Sequence, residues 1–196
     1  MALITNTTDG NNPVPGGYTV DIGGANVGIT SKYTAGASST LFPGLLAGRA
    51  RSSTSFTQLT SLNNVTAATS DDVVGLVAMP RFGASDSNST SLAYDDLITN
   101  ATYFPEGNRL EVIVDQPGSA NIFAGAAIAA GDLLAVAATT TGTGATTVVA
   151  GSLVPSTFAA GPVLELAGLV TLNPTADGAT YTRGDLVPVS IAIISR

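Results

Sequence analysis

The feature that most constrains this chain is a succession of strand-length apolar runs, each bounded by residues that turn the backbone. Phe56–Thr60, Asp72–Ala78, Arg109–Val114, Asp132–Val136, Thr146–Val149, Val163–Thr171 and Asp185–Ile193 are rich in Val, Ile, Leu and Thr. Nearly all are too short for a stable helix and suit strands. Between them stand Pro105-Glu-Gly107, Gln116-Pro-Gly118, Gly142-Thr-Gly144 and Asp177-Gly178, at the spacing of turns in a sandwich or barrel. In Leu110–Asp115 and Leu164–Val170 apolar residues partly alternate with polar or small ones, so that one face of a sheet is core. The expectation is an all-β fold, a compact antiparallel β-barrel or sandwich with at most two short helices. The best helical segment is Ser91–Ala101, with Leu92, Leu97 and Ile98.

The first forty residues read differently. Asp9-Gly-Asn-Asn-Pro13 and Pro15-Gly-Gly17 belong to a segment rich in Asn, Gly, Thr, Ser and Pro, the composition of an extended arm. The expected organisation is therefore an extended N-terminal arm over residues 1–40 and one all-β domain over 41–196, a length that suits a single core.

Composition removes several function classes. The net charge is −7, from 14 acidic against 7 basic residues, with a single lysine, Lys32. Nucleic acid is not an expected partner, because phosphate binding needs clustered Lys and Arg. With no cysteine and no histidine, disulfides, thiolate chemistry and imidazole acid–base or metal chemistry are out of reach. No targeting segment is expected, since Met1–Asp9 turns polar after a few apolar residues. No membrane span is expected either, because the most apolar stretch, Ile122–Ala138, is mostly alanine and is broken by Asp132.

One local pattern recurs. Gly131-Asp-Leu-Leu-Ala-Val136 and Gly184-Asp-Leu-Val-Pro-Val189 share the order Gly-Asp-Leu-apolar-x-Val, and Asp71-Asp-Val-Val-Gly75 is a looser echo. Glycine permits the turn, the aspartate accepts from a nearby amide, and the apolar run then enters a sheet.

Tyr103-Phe-Pro-Glu-Gly-Asn-Arg-Leu-Glu-Val-Ile-Val114, then Ile122 and Ala126-Ala-Ile-Ala-Ala-Gly-Asp-Leu-Leu-Ala-Val136, resembles the core of the tailed-phage structural cement (capsid decoration) proteins. Phe42-Pro-Gly-Leu-Leu-Ala47 is similar to that family's early Pro-Gly segment, Asp71–Ala78 to its strand before a variable loop, and Leu164–Val170 to its closing strands. The resemblance covers roughly residues 41 to 193 and rests on order and spacing. It implies a protein of the virion, made in the host cytoplasm, that binds the outer capsid surface and stabilises the assembled head by bridging neighbouring major capsid protein subunits. It also implies a homotrimer, which a chain without disulfides would favour by burying apolar β surface between copies. Attachment is expected along the arm through Leu3, Ile4, Val14, Tyr18, Val20 and Ile22, with Phe82–Asn100 the next candidate, and removal of residues 1 to about 22 is expected to leave the domain folded.

Other features are read against plainer alternatives. Arg183-Gly-Asp185 spells an adhesion tripeptide but is also the second turn device. Asp71-Asp72, Asp95-Asp96 and Asp86-Ser-Asn88 offer oxygens of the kind calcium takes, yet position twelve from Asp86 is Leu97, so they are read as solvated loop acids. Ser31-Lys32 would need a buried, deprotonated lysine to act as a dyad, and Glu106 with Glu111 would need a substrate groove to act as a glycosidase pair. Asn6, Asn64, Asn88 and Asn100 begin glycosylation triplets of the kind chance supplies in a Ser/Thr/Asn-rich chain. No catalytic, metal or cofactor residue is expected, and the protein is read as a non-enzyme. The alternative is a carbohydrate-binding or adhesive β module of a fibre or cell surface, against which stands the absence of tryptophan as a sugar platform.

Overall fold

The computed structural model describes residues 3–4, 8–9, 12–13, 15–20, 33–36, 41–50, 52–58, 73–78, 93–99, 107–113, 118–156, 163–165, 169–171 and 180–191. In chain order the strands begin with β1 (Leu3–Ile4), β2 (Thr8–Asp9), β3 (Asn12–Pro13), β4 (Tyr18–Val20), β5 (Tyr33–Ala35), β6 (Leu46–Arg49), β7 (Ser55–Gln58) and β8 (Val73–Val77). The helix α1 (Asp96–Thr99) follows, then β9 (Arg109–Leu110), β10 (Val112–Ile113), β11 (Gly118–Phe123), β12 (Leu134–Ala137), β13 (Leu153–Pro155), β14 (Val163–Glu165), β15 (Leu169–Thr171) and β16 (Leu186–Ile191). The fold is all-β, and α1 falls inside the expected helical segment.

Six strands make a sheet in the order β10-β8-β6-β7-β5-β9. Its two end strands are successive pieces of one stretch, 109–113, so the sheet curls until its ends meet at Glu111. Ala35 N–H donates to the Asn108 carbonyl on one side of this seam (2.9 Å), and Ala78 N–H donates to the Glu111 carbonyl on the other (2.9 Å). All pairings in the sheet are antiparallel except β5 with β7. The interior of the curl is one cluster drawn from every strand: Tyr33, Ala35, Ala47, Phe56, Val77, Leu110 and Val112, closed by Leu41. Leu110 and Val112 both point inward, as period-2 alternation requires, which turns Glu111 to the outside.

A second sheet runs β1-β4-β11-β16-β15. Its longest pairing matches Gly118–Phe123 with Leu186–Ile191 over six residue pairs. Pro188 sits inside this central strand, where a missing N–H would normally break a ladder. Its partner Asn121 donates to the Gly17 carbonyl (2.9 Å) and accepts from Gly16 N–H (3.0 Å). Asn121 thus spends its backbone groups on the far side, and Asn121–Pro188 is a non-hydrogen-bonded pair. The nitrogen of Pro188 faces the other edge, beyond the pairing of β15 that ends at Thr171–Val189.

The remaining strands form the sheet β13-β12-β14 and the small ribbon β2-β3. The outer wall of the curled sheet, through Leu46, Leu76 and Ala78, packs on Ala120, Ile122, Ala124, Ile128, Val136, Leu153, Val187 and Val189, giving the main core between layers. A third cluster of Phe42, Leu45, Tyr94, Leu97, Phe123 and Val149 lies on the opposite face of β11 and receives Leu186 from β16.

The segment before residue 40 contributes strands to both sheets. Tyr18–Val20 pairs with Gly118–Ala120, and Leu3–Ile4 pairs with Thr19–Val20. Tyr33–Ala35 joins the curled sheet. Pro15, Gly16 and Gly17 are buried, and they meet the body at Gly44, whose φ is +84°. Gly44 N–H donates to the Val77 carbonyl and its own carbonyl accepts from Phe123 N–H, both at 3.0 Å. A Cβ at Gly44 would lie 3.0 Å from Pro15 Cβ and 3.1 Å from both Gly16 N and Phe123 Cδ2. Removal of residues 1 to about 22, expected to leave the domain folded, would take away Pro15–Val20, which covers the edge of β11.

Three of the expected strands differ in detail. Arg109–Val114 is divided at Glu111, and Val163–Thr171 becomes two strands. Thr146–Val149 instead follows a 3-10 turn at Gly144–Thr146, with one isolated bridge between Thr141 and Val148. The next amides leave the ladder for side chains, Val149 N–H donating to the Tyr94 hydroxyl (2.7 Å) and Ala150 N–H to Thr140 Oγ1 (3.1 Å).

Candidate functional site

The densest arrangement of polar side chains among the described residues surrounds Tyr94. Its placement begins with Asp96, whose carboxylate accepts from Ala93 N–H (2.9 Å) while Asp96 N–H donates back to the Ala93 carbonyl (3.0 Å). That reciprocal turn opens α1 and directs Tyr94 into the third cluster, 3% exposed and edge-on to Phe123 with ring centroids 5.6 Å apart. The hydroxyl accepts from Val149 N–H at 2.7 Å and donates to Ser152 Oγ at 3.3 Å. Ser152, fully buried, donates in turn to the Val149 carbonyl at 2.6 Å. The ring of bonds returns to the residue from which it started, and such closed networks polarise their members cooperatively. Burial raises the Tyr94 phenol above its ordinary value of 10.0, while the bonds to Ser152 and Val149 and the nearby Arg183 oppose the rise.

Arg183 closes this cluster from outside. Its guanidinium lies 4.6 Å above the Tyr94 ring, its Nε donates to the Thr147 carbonyl (2.8 Å), and its Nη2 pairs with Asp95 Oδ1 (3.0 Å). Asp95 is 78% exposed, so the ion pair itself adds at most about 1 kcal/mol. The stacking and the carbonyl contact carry the rest of the clamp.

The adhesion-like tripeptide is thus engaged within the protein. Asp185 accepts from Thr182 N–H (2.6 Å) and Thr182 Oγ1 (2.9 Å), and Asp185 N–H returns a bond to the Thr182 carbonyl (3.1 Å). Asp132 repeats the arrangement, accepting from Ala129 N–H (2.7 Å) and donating its own amide to the Ala129 carbonyl (3.2 Å). Gly131 and Gly184 have φ of +85° and +92°, a left-handed conformation that costs glycine little. Each device ends in an apolar run entering a strand, β12 in one case and β16 in the other. The two turns are also joined, because Ile128 and Tyr181, the residues just before them, exchange a pair of 2.9 Å backbone bonds.

The other candidates are dispersed. Glu111 stands at the seam of the curled sheet with one buried carboxylate oxygen that has no hydrogen-bond partner, and Glu106 lies outside the described residues. So do Asp71, Asp72, Asp86, Asn88, Ser31 and Lys32, together with Asn6, Asn64 and Asn100. Among the described residues no group of three or more Asp or Glu side chains converges to hold a metal ion. No described helix is long and apolar enough to cross a membrane. Of the arm positions, Leu3 and Ile4 lie on the outermost strand of the second sheet and Tyr18 and Val20 on the strand beside it, while Val14 and Ile22 lie outside the described residues.

Sequence reasoning missed Tyr94 and Ser152. The only signal available was a tyrosine inside the expected helical segment; nothing in the amino-acid sequence links it to residues 149 and 152. Compared with protein-family models, with curated proteins and with solved structures, the chain matches none of them.

Proposed function

We propose that this chain is a capsid cement protein, which binds the outside of an assembled phage head and stabilises it by bridging neighbouring major capsid protein subunits. The observation that carries the reading is the ordered motif run from Tyr103 to Val136, which resembles the cement-protein core and whose described part supplies the centre of this fold: Ile122 and Val136 lie in one core with Leu46 and Val187. Two further observations support it. The side chains of Asp96, Arg183 and Asp185, which read as possible chemistry, and those of Asp132, Tyr94 and Ser152 bind the protein's own backbone. The chain is also acidic and free of cysteine, which suits a shell component made in a reducing cytosol.

Stabilisation on this reading is mass action. A ligand that binds the assembled shell and not its dissociated subunits adds roughly RT ln(1 + [L]/Kd) per site, about 2.7 kcal/mol at a hundredfold excess over Kd. A homotrimer multiplies modest contacts through effective concentration. The residues proposed to touch the capsid are Leu3, Ile4, Val14, Tyr18, Val20 and Ile22.

The test is to mix purified protein with undecorated capsids and image the particles. Trimeric density on the outer surface, with a higher temperature of DNA release, is expected. Bare capsids at micromolar protein, together with binding to a glycan surface, would turn the assignment to the adhesive alternative. Deletion of residues 1–13 separates the arm from the body, because it removes β1 but spares the contacts of Pro15–Val20 with β11 and Gly44. Attachment is expected to weaken while the melting temperature changes little. Undiminished decoration by that variant would strike Leu3 and Ile4 from the attachment surface and leave it to Val14, Tyr18, Val20 and Ile22 or to the body's loops.

A further inference from the structure

We draw no further inference here: the strongest candidate, the apolar spot on the turn before β12 where Leu133 is 76% exposed beside the exposed Ala129 and Ala130, carries nothing because nothing in the structure shows what covers it.

Discussion

Replacing Tyr94 by phenylalanine removes one oxygen and leaves the ring in place. The packing on Phe123 and the stacking under Arg183 survive, so the change isolates the hydroxyl. Without it the Val149 amide, on a residue 3% exposed, loses the acceptor it holds at 2.7 Å. Ser152 keeps its bond to the Val149 carbonyl but loses a donor. An unsatisfied buried donor costs about 1–3 kcal/mol, so about 2 kcal/mol is expected. In a chain of 196 residues one kcal/mol moves the melting midpoint by about 2–4 °C, giving a fall of about 4–8 °C. Urea unfolding should show a lower midpoint with an unchanged slope, the mark of lost stability without a change in the surface exposed. Ser152→Ala opens the same ring, so the double variant should lose less than the two single losses added, by at least about 0.5 kcal/mol. A Tyr94→Phe midpoint equal to that of the parent, or additive losses, would refute the closed ring.

The same variant carries a pH test. Because burial raises the Tyr94 phenol, the folded state holds that proton more tightly than the unfolded chain does. The associated stability is fully present below the ordinary value of 10.0 and is lost as pH rises through the higher folded value. Above pH 10 the parent should therefore lose stability more steeply than Tyr94→Phe. Tyr181 is raised by burial and by the Asp185 charge, so some slope persists in the variant. Equal slopes would show that the Tyr94 proton is not linked to folding.

Gly44→Ala should cost about 1–3 kcal/mol, from a positive φ and from crowding against Pro15, Gly16 and Phe123; a thermal melt within 1 °C of the parent would show that the N-terminal segment is not seated there. Arg183→Lys keeps the charge but loses the planar stack and the Nε bond to Thr147, and about 1 kcal/mol should follow, read by chemical denaturation. Restoration of parental stability by lysine would mean that charge alone sufficed. Asp132→Ala and Asp185→Ala each remove one side-chain arm of a reciprocal turn. Losses of about 0.5–1.5 kcal/mol are expected for each, additive in the double variant if the turns act separately and less than additive if the Ile128–Tyr181 bridge couples them.

The class of the fold was legible because nearly all the apolar runs are of strand length, and Asp72–Ala78 and Asp185–Ile193 fall on β8 and β16. What escaped was set by partners distant in the chain. Gly118-Ser-Ala-Asn-Ile-Phe123 has little strand character, yet it becomes a central strand because β16 and β4 bond both of its edges. Thr146–Val149 has strong strand character and does not form a regular strand, because Tyr94 and Thr140 take the amides that a neighbouring strand would have taken. The Asn-, Gly- and Pro-rich opening read as an arm by composition alone. Composition does not register that the backbones of Gly16 and Gly17 bond to that of Asn121.

The turn devices show the opposite balance, since their chemistry was readable and their consequence was not. Gly-Asp specifies its own local geometry, a left-handed glycine and a carboxylate reaching back three residues, so Asp132 and Asp185 could be assigned without knowing what lay nearby. Arg183 is different. In the tripeptide it has no local partner, and its role is decided by Asp95, Tyr94 and Thr147, none within thirty residues of it. An Arg-Gly-Asp tripeptide presented for adhesion needs both charged ends turned outward on a loop. Here the aspartate is tied to Thr182 and the guanidinium lies over Tyr94. Freeing the arginine for a receptor would give up the clamp that holds α1 to the sheet, so this segment's first role is to hold the protein together.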